Sequence, residues 1–160
     1  MIVKWLITNL ITVFIIVIWS FYQGYDSNNV LIGKIVAQAA FILFLININM
    51  FFVFLLIRKS KVRNVKIKLA KISKRMMKYH IPIALTSSTL ILIHAVIMIN
   101  AYFERLLNIK ILSGAITFGV LIILLFSGLL RRWRASGNRR KFHYTMSFLF
   151  FAFVILHVFV

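Results

Sequence analysis

Residues 80–94 read HIPIALTSSTLILIH, an apolar stretch with a histidine at each end. Residues 143–157, HYTMSFLFFAFVILH, repeat the pattern, so that His143 and His157 carry the same spacing as His80 and His94. The chain has four histidines, and all four belong to these two pairs. Fourteen steps along an α-helix rotate it by about 1400°, roughly 40° short of four full turns, and advance it by about 21 Å. Both histidines of a pair therefore look out from one helix face, near opposite sides of a bilayer. Two such helices side by side offer two bis-imidazole sites at different depths. That is the layout of a transmembrane electron path through two haems.

The surrounding sequence fixes the environment. The 160 residues are 62% hydrophobic, with a single proline and a mean hydropathy of +0.99, more apolar than a soluble domain of this size. Five apolar runs, at about 3–22, 31–57, 80–103, 111–130 and 142–160, reach or approach the ~20 residues a helix needs to cross the hydrocarbon core. The expected fold is all-α, a single polytopic bundle of five transmembrane helices. The first run is too long for a signal peptide, and no small-residue cleavage site follows Trp19-Ser20-Phe21-Tyr22. It is read as an uncleaved span with a cytoplasmic N-terminus.

Charge gives the orientation. Ten Lys/Arg fall between Arg58 and Lys78, six between Arg131 and Lys141, and one is Lys4. Lys34, Arg105 and Lys110 remain, in the company of both acids, Asp26 and Glu104. This asymmetry follows the positive-inside rule and places the two basic segments in the cytoplasm. A net charge of +18 distributed in this way, with few aromatics among the basic residues, does not describe a nucleic-acid surface. All Trp and Tyr lie at span ends (Trp5, Trp19, Trp133, Tyr22, Tyr25, Tyr79, Tyr102, Tyr144), whereas most Phe are interior. The segment from Arg58 to Lys78 interleaves its cations with Val62, Val65, Ile67, Leu69, Ile72 and Met76. It reads as a basic helix lying on an anionic inner leaflet, or as a docking surface for an acidic electron donor.

With both basic segments inside, the third and fifth helices run parallel, and depth pairs His80 with His143 and His94 with His157. A separation of ~21 Å prevents one zinc ion from using both histidines of a helix, and two His₂ zinc sites lack further protein ligands. Haem suits two-ligand sites because the porphyrin supplies the other four nitrogens, and two imidazoles leave the iron no open position. On the ligand faces, Ala84 and Ser147 follow the first histidines by four residues, and Ser87 and Phe150 follow by seven. Phe150 is expected midway between the two haems, as packing or as a tunnelling bridge; Ser87 is expected to hydrogen-bond its own or a neighbouring helix. For haem propionates the candidate cations are Lys78, Arg139, Arg140 and Lys141 on the inner side, and Arg105, Lys110 and Lys34 on the outer side. Arg140 and Arg105 are the selected pair. Ser113, Gly114, Thr117, Gly119, Ser127 and Gly128 allow close helix packing on the fourth span. Gln38, Asn47 and Asn49 on the second are interhelical hydrogen-bonders or contacts for a quinone or propionate.

With these residues in place the chain, from about Leu31 onward, resembles the transmembrane part of the ferric reductase family. That family includes the NADPH oxidases and the haem subunit of the bacterial methionine sulfoxide reductase system. The resemblance rests on His80-x13-His94, on His143-x13-His157, and on the stretch Leu130-Arg131-Arg132-Trp133 followed by Arg139-Arg140-Lys141-Phe142-His143-Tyr144. It implies two b-type haems, with iron held by His80/His143 inside and His94/His157 outside, passing electrons outward across the cytoplasmic membrane. The family's usual sixth helix and its flavin and nicotinamide domain have no counterpart here, so a separate flavoprotein, reductase or quinol is the expected donor. The chain carries no cysteine and no dinucleotide fingerprint. The competing readings are a cytochrome b561-like quinol oxidoreductase and a haem-free membrane anchor or assembly subunit.

Overall fold

The computed structural model describes the backbone of residues 2–160 and side chains from Ile7 onward. Five α-helices follow one another: α1 (Ile2–Tyr22), α2 (Asn28–Lys59), α3 (Arg63–Ala101), α4 (Ile109–Trp133) and α5 (Gly137–Phe159). One 3-10 turn, Phe103–Arg105, links α3 to α4, and the described residues contain no strand. Helices α2 to α5 are each long and apolar enough to cross a membrane, so the chain is a multi-pass membrane protein. The described side chains of α1, Ile7–Tyr22, form a shorter apolar helix. Lys4 and Trp5, assigned by the sequence to the inner end of the first span, lie outside the described side chains.

Local chemistry sets the helix ends. Ser27, Asn108 and Ser136 cap α2, α4 and α5 by accepting from the backbone N–H of Val30, Lys110 and Arg139 at 3.3, 2.9 and 3.2 Å. Gly24, at φ +65, takes the left-handed conformation that lets the chain turn after α1.

The basic segment departs from expectation. α3 is one continuous helix of 39 residues, about 58 Å long against a hydrocarbon core of ~30 Å. Arg63 to Lys78 form its first turns rather than a separate helix lying on the leaflet. Lys, Arg, Leu, Ala and Met propagate a helix well, and neither Gly nor Pro interrupts the run before Pro82. The connection to α2 shrinks to Ser60, Lys61 and Val62.

The helices associate as two antiparallel hairpins, α2 with α3 and α4 with α5, and these pack far more closely within than between themselves. The register is regular. Along α2, Ala40 accepts from Ser87 Oγ at 2.9 Å, and Asn47 donates to the His80 carbonyl at 3.1 Å, one seven-residue step on. In the other hairpin Thr117 Oγ1 donates chiefly to the Ser113 carbonyl of its own helix at 2.7 Å and lies 3.3 Å from the Phe153 carbonyl of α5. The buried apolar cluster joins Ile16 of α1, Phe41, Phe44, Leu45 and Ile48 of α2, Val120, Leu121 and Leu124 of α4, and Phe150 of α5. α3 contributes none of its members; its buried residues are Ser73 and Ser87. α3 and α5 consequently barely touch, although they run side by side. Large apolar side chains such as Leu10, Phe14, Leu85, Ile116, Phe126 and Leu156 face outward, as lipid contact requires.

Candidate cofactor site: two pairs of facing histidines

The four histidines meet across the space between α3 and α5. His80 faces His143 with ring centres 6.3 Å apart and planes crossed at 79°. His94 faces His157 at 6.4 Å and 71°. α3 and α5 therefore run parallel, and the two pairs are separated by fourteen helical residues, about 21 Å.

The spacing within each pair can be tested against metal chemistry. An imidazole nitrogen binds a metal ion at ~2.0–2.1 Å, and the ring centre lies about 1.2 Å behind that nitrogen, so two in-line imidazoles sharing one ion have centres about 6.4 Å apart. Both observed separations match. Among the described residues no cluster of three or more His, Cys, Asp or Glu exists, so each pair offers two protein ligands and no third. A group that brings its own equatorial ligands fits this donor set better than a bare ion does.

Hydrogen bonds then fix which nitrogen of each ring carries the proton. Ser127 Oγ donates its only hydrogen to the Leu124 carbonyl at 2.6 Å, so its contact with His143 Nδ1 at 2.8 Å must be accepted from that nitrogen. Ser113 does the same one repeat away: its Oγ donates to the Lys110 carbonyl at 2.8 Å and accepts from His157 Nδ1 at 2.9 Å. His94 Nδ1 lies 2.9 Å from the Gly33 carbonyl, which can only accept. Three rings thus hold a proton on Nδ1 and keep the lone pair on Nε2, the tautomer a metal-binding imidazole needs. His80 differs, because its Nδ1 is buried without a hydrogen-bond partner among the described residues.

Glycine beside each serine makes room for the ring. A Cβ on Gly114 would stand 3.0 Å from His157 Cε1, and one on Gly128 would stand 3.3 Å from His143 Cε1. α4 therefore carries the doublet Ser-Gly twice, at 113–114 and 127–128, with the same fourteen-residue period as the histidines of α5. The sequence reading treated these residues only as small packing positions. Their period was the signal that links them to the histidines.

The remaining selected residues divide. Phe150 lies seven residues from each histidine of α5, is 2% exposed, and meets Phe44 edge-to-face at 4.9 Å. Ser87 is buried at the corresponding place on α3, bonded to α2 as described. Ser147 donates to the His143 carbonyl of its own helix at 3.0 Å, and the Ala84 carbonyl accepts from Ser88 at 2.8 Å. Arg140 is exposed and lines a shallow groove with Arg131 and Ser136. Arg139 is occupied in closing the α4–α5 turn, donating to the Leu130 and Arg134 carbonyls at 3.0 and 3.2 Å.

At the other end Arg105 is exposed, whereas two lysines reach inward. Lys34 Nζ donates to the Ser20 and Gly24 carbonyls, and Lys110 Nζ to Gln23 Oε1 and the Val158 carbonyl. Tyr102, just beyond α3, donates to Asp26 at 3.1 Å; burial and then this carboxylate hold its phenol above the ordinary value. Of the candidate polar residues on α2, Asn47 bonds the His80 backbone, while Asn49 Oδ1 is buried without a hydrogen-bond partner among the described residues. Compared with protein-family models, with curated proteins and with solved structures, the chain matches none.

Proposed function

We propose that the protein is a di-haem b-type membrane cytochrome of ferric reductase-like type. His80 and His143 would hold one haem iron and His94 and His157 the other. The observation that carries this reading is the pair of imidazole separations, 6.3 and 6.4 Å, at two depths of one bundle. When bound, haem supplies one-electron chemistry, and two such groups at different depths offer electrons a path across the bilayer.

The chain's own residues do the rest. Ser127, Ser113 and the Gly33 carbonyl orient three imidazoles and keep Nε2 unprotonated. Gly128 and Gly114 let the α5 rings lie against α4. Phe150 fills the level between the pairs with an aromatic ring and excludes water there. The groove of Arg131 and Arg140 at one end, and Lys34 and Lys110 at the other, place positive charge where carboxylate substituents of a macrocycle would emerge. For the outer pair, the inward reach of Lys34 and Lys110 favours them over exposed Arg105. The charge of the basic segments supports a cytoplasmic His80/His143 end under the positive-inside rule, and the reading takes the cytoplasmic membrane as the site of action. In this reading the donor is a flavoprotein, reductase or quinol on the inner side, and the acceptor lies on the outer side.

The test is haem quantitation. Protein expressed with a haem supply and purified in detergent should give a pyridine haemochrome equivalent to two haems b per chain and sharp reduced α bands. Folded, helical protein with no chromophore would remove the proposal and favour the anchor reading.

A further inference from the structure

Three of the four imidazoles are tied from behind through Nδ1, and one is not. His80 Nδ1 and Asn49 Oδ1 are the buried side-chain polar atoms that lack a hydrogen-bond partner among the described residues, and the first belongs to the pair that faces His143. The α2 position that faces His80 is Asn47, which grips the His80 backbone carbonyl rather than its ring. Two residues further on, Pro82 has no N–H to give the Lys78 carbonyl, so the helix that carries His80 lacks one rung of its ladder beside the ligand. The backbone of His80 is thus held from α2 while its ring lacks the Nδ1 hydrogen bond that would fix its direction. Its counterparts have that bond: His143 is tied to Ser127, His157 to Ser113 and His94 to Gly33. An imidazole whose Nδ1–H has an acceptor is both fixed in direction and a stronger base at Nε2.

Resting on the di-haem reading, we propose that His80 is a displaceable ligand, so that the inner site admits a small neutral ligand while the outer site stays closed. The ligand class is a diatomic π-acceptor that binds reduced iron. With haem bound, the iron–Nε2 bond to His80 would break as an iron–carbon bond to carbon monoxide forms, and the neutral imidazole would leave the iron. No electron or proton is transferred in that step. His143, tied to Ser127, stays in place as the opposite ligand.

The experiment is a carbon monoxide difference spectrum on dithionite-reduced holoprotein whose haem content has first been measured. One haem of the two should respond. His157→Ala, which removes the outer haem, should keep the response, and Ser113→Ala, which unties His157, should extend it to the outer haem. Two haems per chain with no carbon monoxide response, or a response from both in the unaltered protein, overturns the inference and leaves the di-haem reading standing. A response that disappears in His157→Ala assigns the open site to the outer pair and overturns it equally. Protein that holds no haem sinks the underlying reading instead.

Discussion

The two hairpins hold their histidines by different means. In α4–α5 one helix carries both histidines and the other carries a matched Ser-Gly doublet behind each of them. In α2–α3 the helix behind the histidines offers a backbone carbonyl to His94 and nothing to the ring of His80. The first hairpin is built to a fourteen-residue period on both of its helices. The second keeps that period too, with Gly33 behind His94 and Asn47 behind His80, but Asn47 bonds the His80 backbone and leaves its ring untied. Ring orientation is therefore a property of the helix behind the histidine as much as of the helix that bears it.

The comparison can be broken most severely at the ligands. His143→Ala should empty the inner site and halve the haem content, and His157→Ala should do the same at the outer site. His80→Ala should cost less haem than His143→Ala and leave the inner haem high-spin, which haem quantitation and the absorption spectrum will read. Equal losses at His80 and His143 would erase the distinction between the hairpins.

Next in size are the glycines. Gly114→Ala sets a methyl 3.0 Å from His157 Cε1, and Gly128→Ala one 3.3 Å from His143 Cε1. Overpacking of this kind costs about 1–3 kcal/mol, so both variants should melt earlier, with the larger loss at Gly114 and at the outer haem. Gly33→Ala provides the contrast in α2–α3. Its nearest clash, 2.7 Å, is with the flexible end of Met98, which can move aside, so the Ile97 Cγ2 contact at 3.1 Å should set a stability loss between those at Gly114 and Gly128, with no histidine ring displaced.

The serines come third. Ser127→Ala and Ser113→Ala remove the acceptor behind one ring each and should weaken the affected haem by about 10–100-fold, measured by transfer to apomyoglobin. The smallest effect belongs to Tyr102, whose bond to Asp26 is exposed. Tyr102→Phe should cost about 0.5 kcal/mol. The phenol is held above its ordinary value in the fold, so its contribution is complete below the unfolded phenol's pKa and is lost as pH rises through the folded one. A thermal-melt series into the alkaline range should show the unaltered protein losing its advantage over the variant.

The sequence made much of the bundle legible because the information was periodic. Apolar length gave the helices, and the two histidine spacings anticipated rings that meet at two depths. The long α3 was less legible. The segment from Arg63 to Lys78 read as a basic helix on the leaflet, and its charges gave no sign that it runs unbroken into the span that carries His80. Arg105 drew attention by its charge, yet the inward reach of Lys34 and Lys110 depends on the turn at Gly24 and on the end of α5, which a linear reading does not bring together. The serine–glycine doublets were visible as letters. Their role needed the antiparallel register of α4 on α5, which sets Ser127 behind His143 and Ser113 behind His157.

The central claim, that each facing pair clamps one iron between crossed imidazoles, is read most directly by low-temperature electron paramagnetic resonance of the oxidised holoprotein. Crossed imidazole planes leave the iron d orbitals they interact with nearly degenerate, whereas parallel planes split them. Planes at 79° and 71° should therefore give two low-spin centres of the highly anisotropic type. A rhombic low-spin signal of the parallel-plane type, or a spectrum without low-spin ferric haem, would contradict the account.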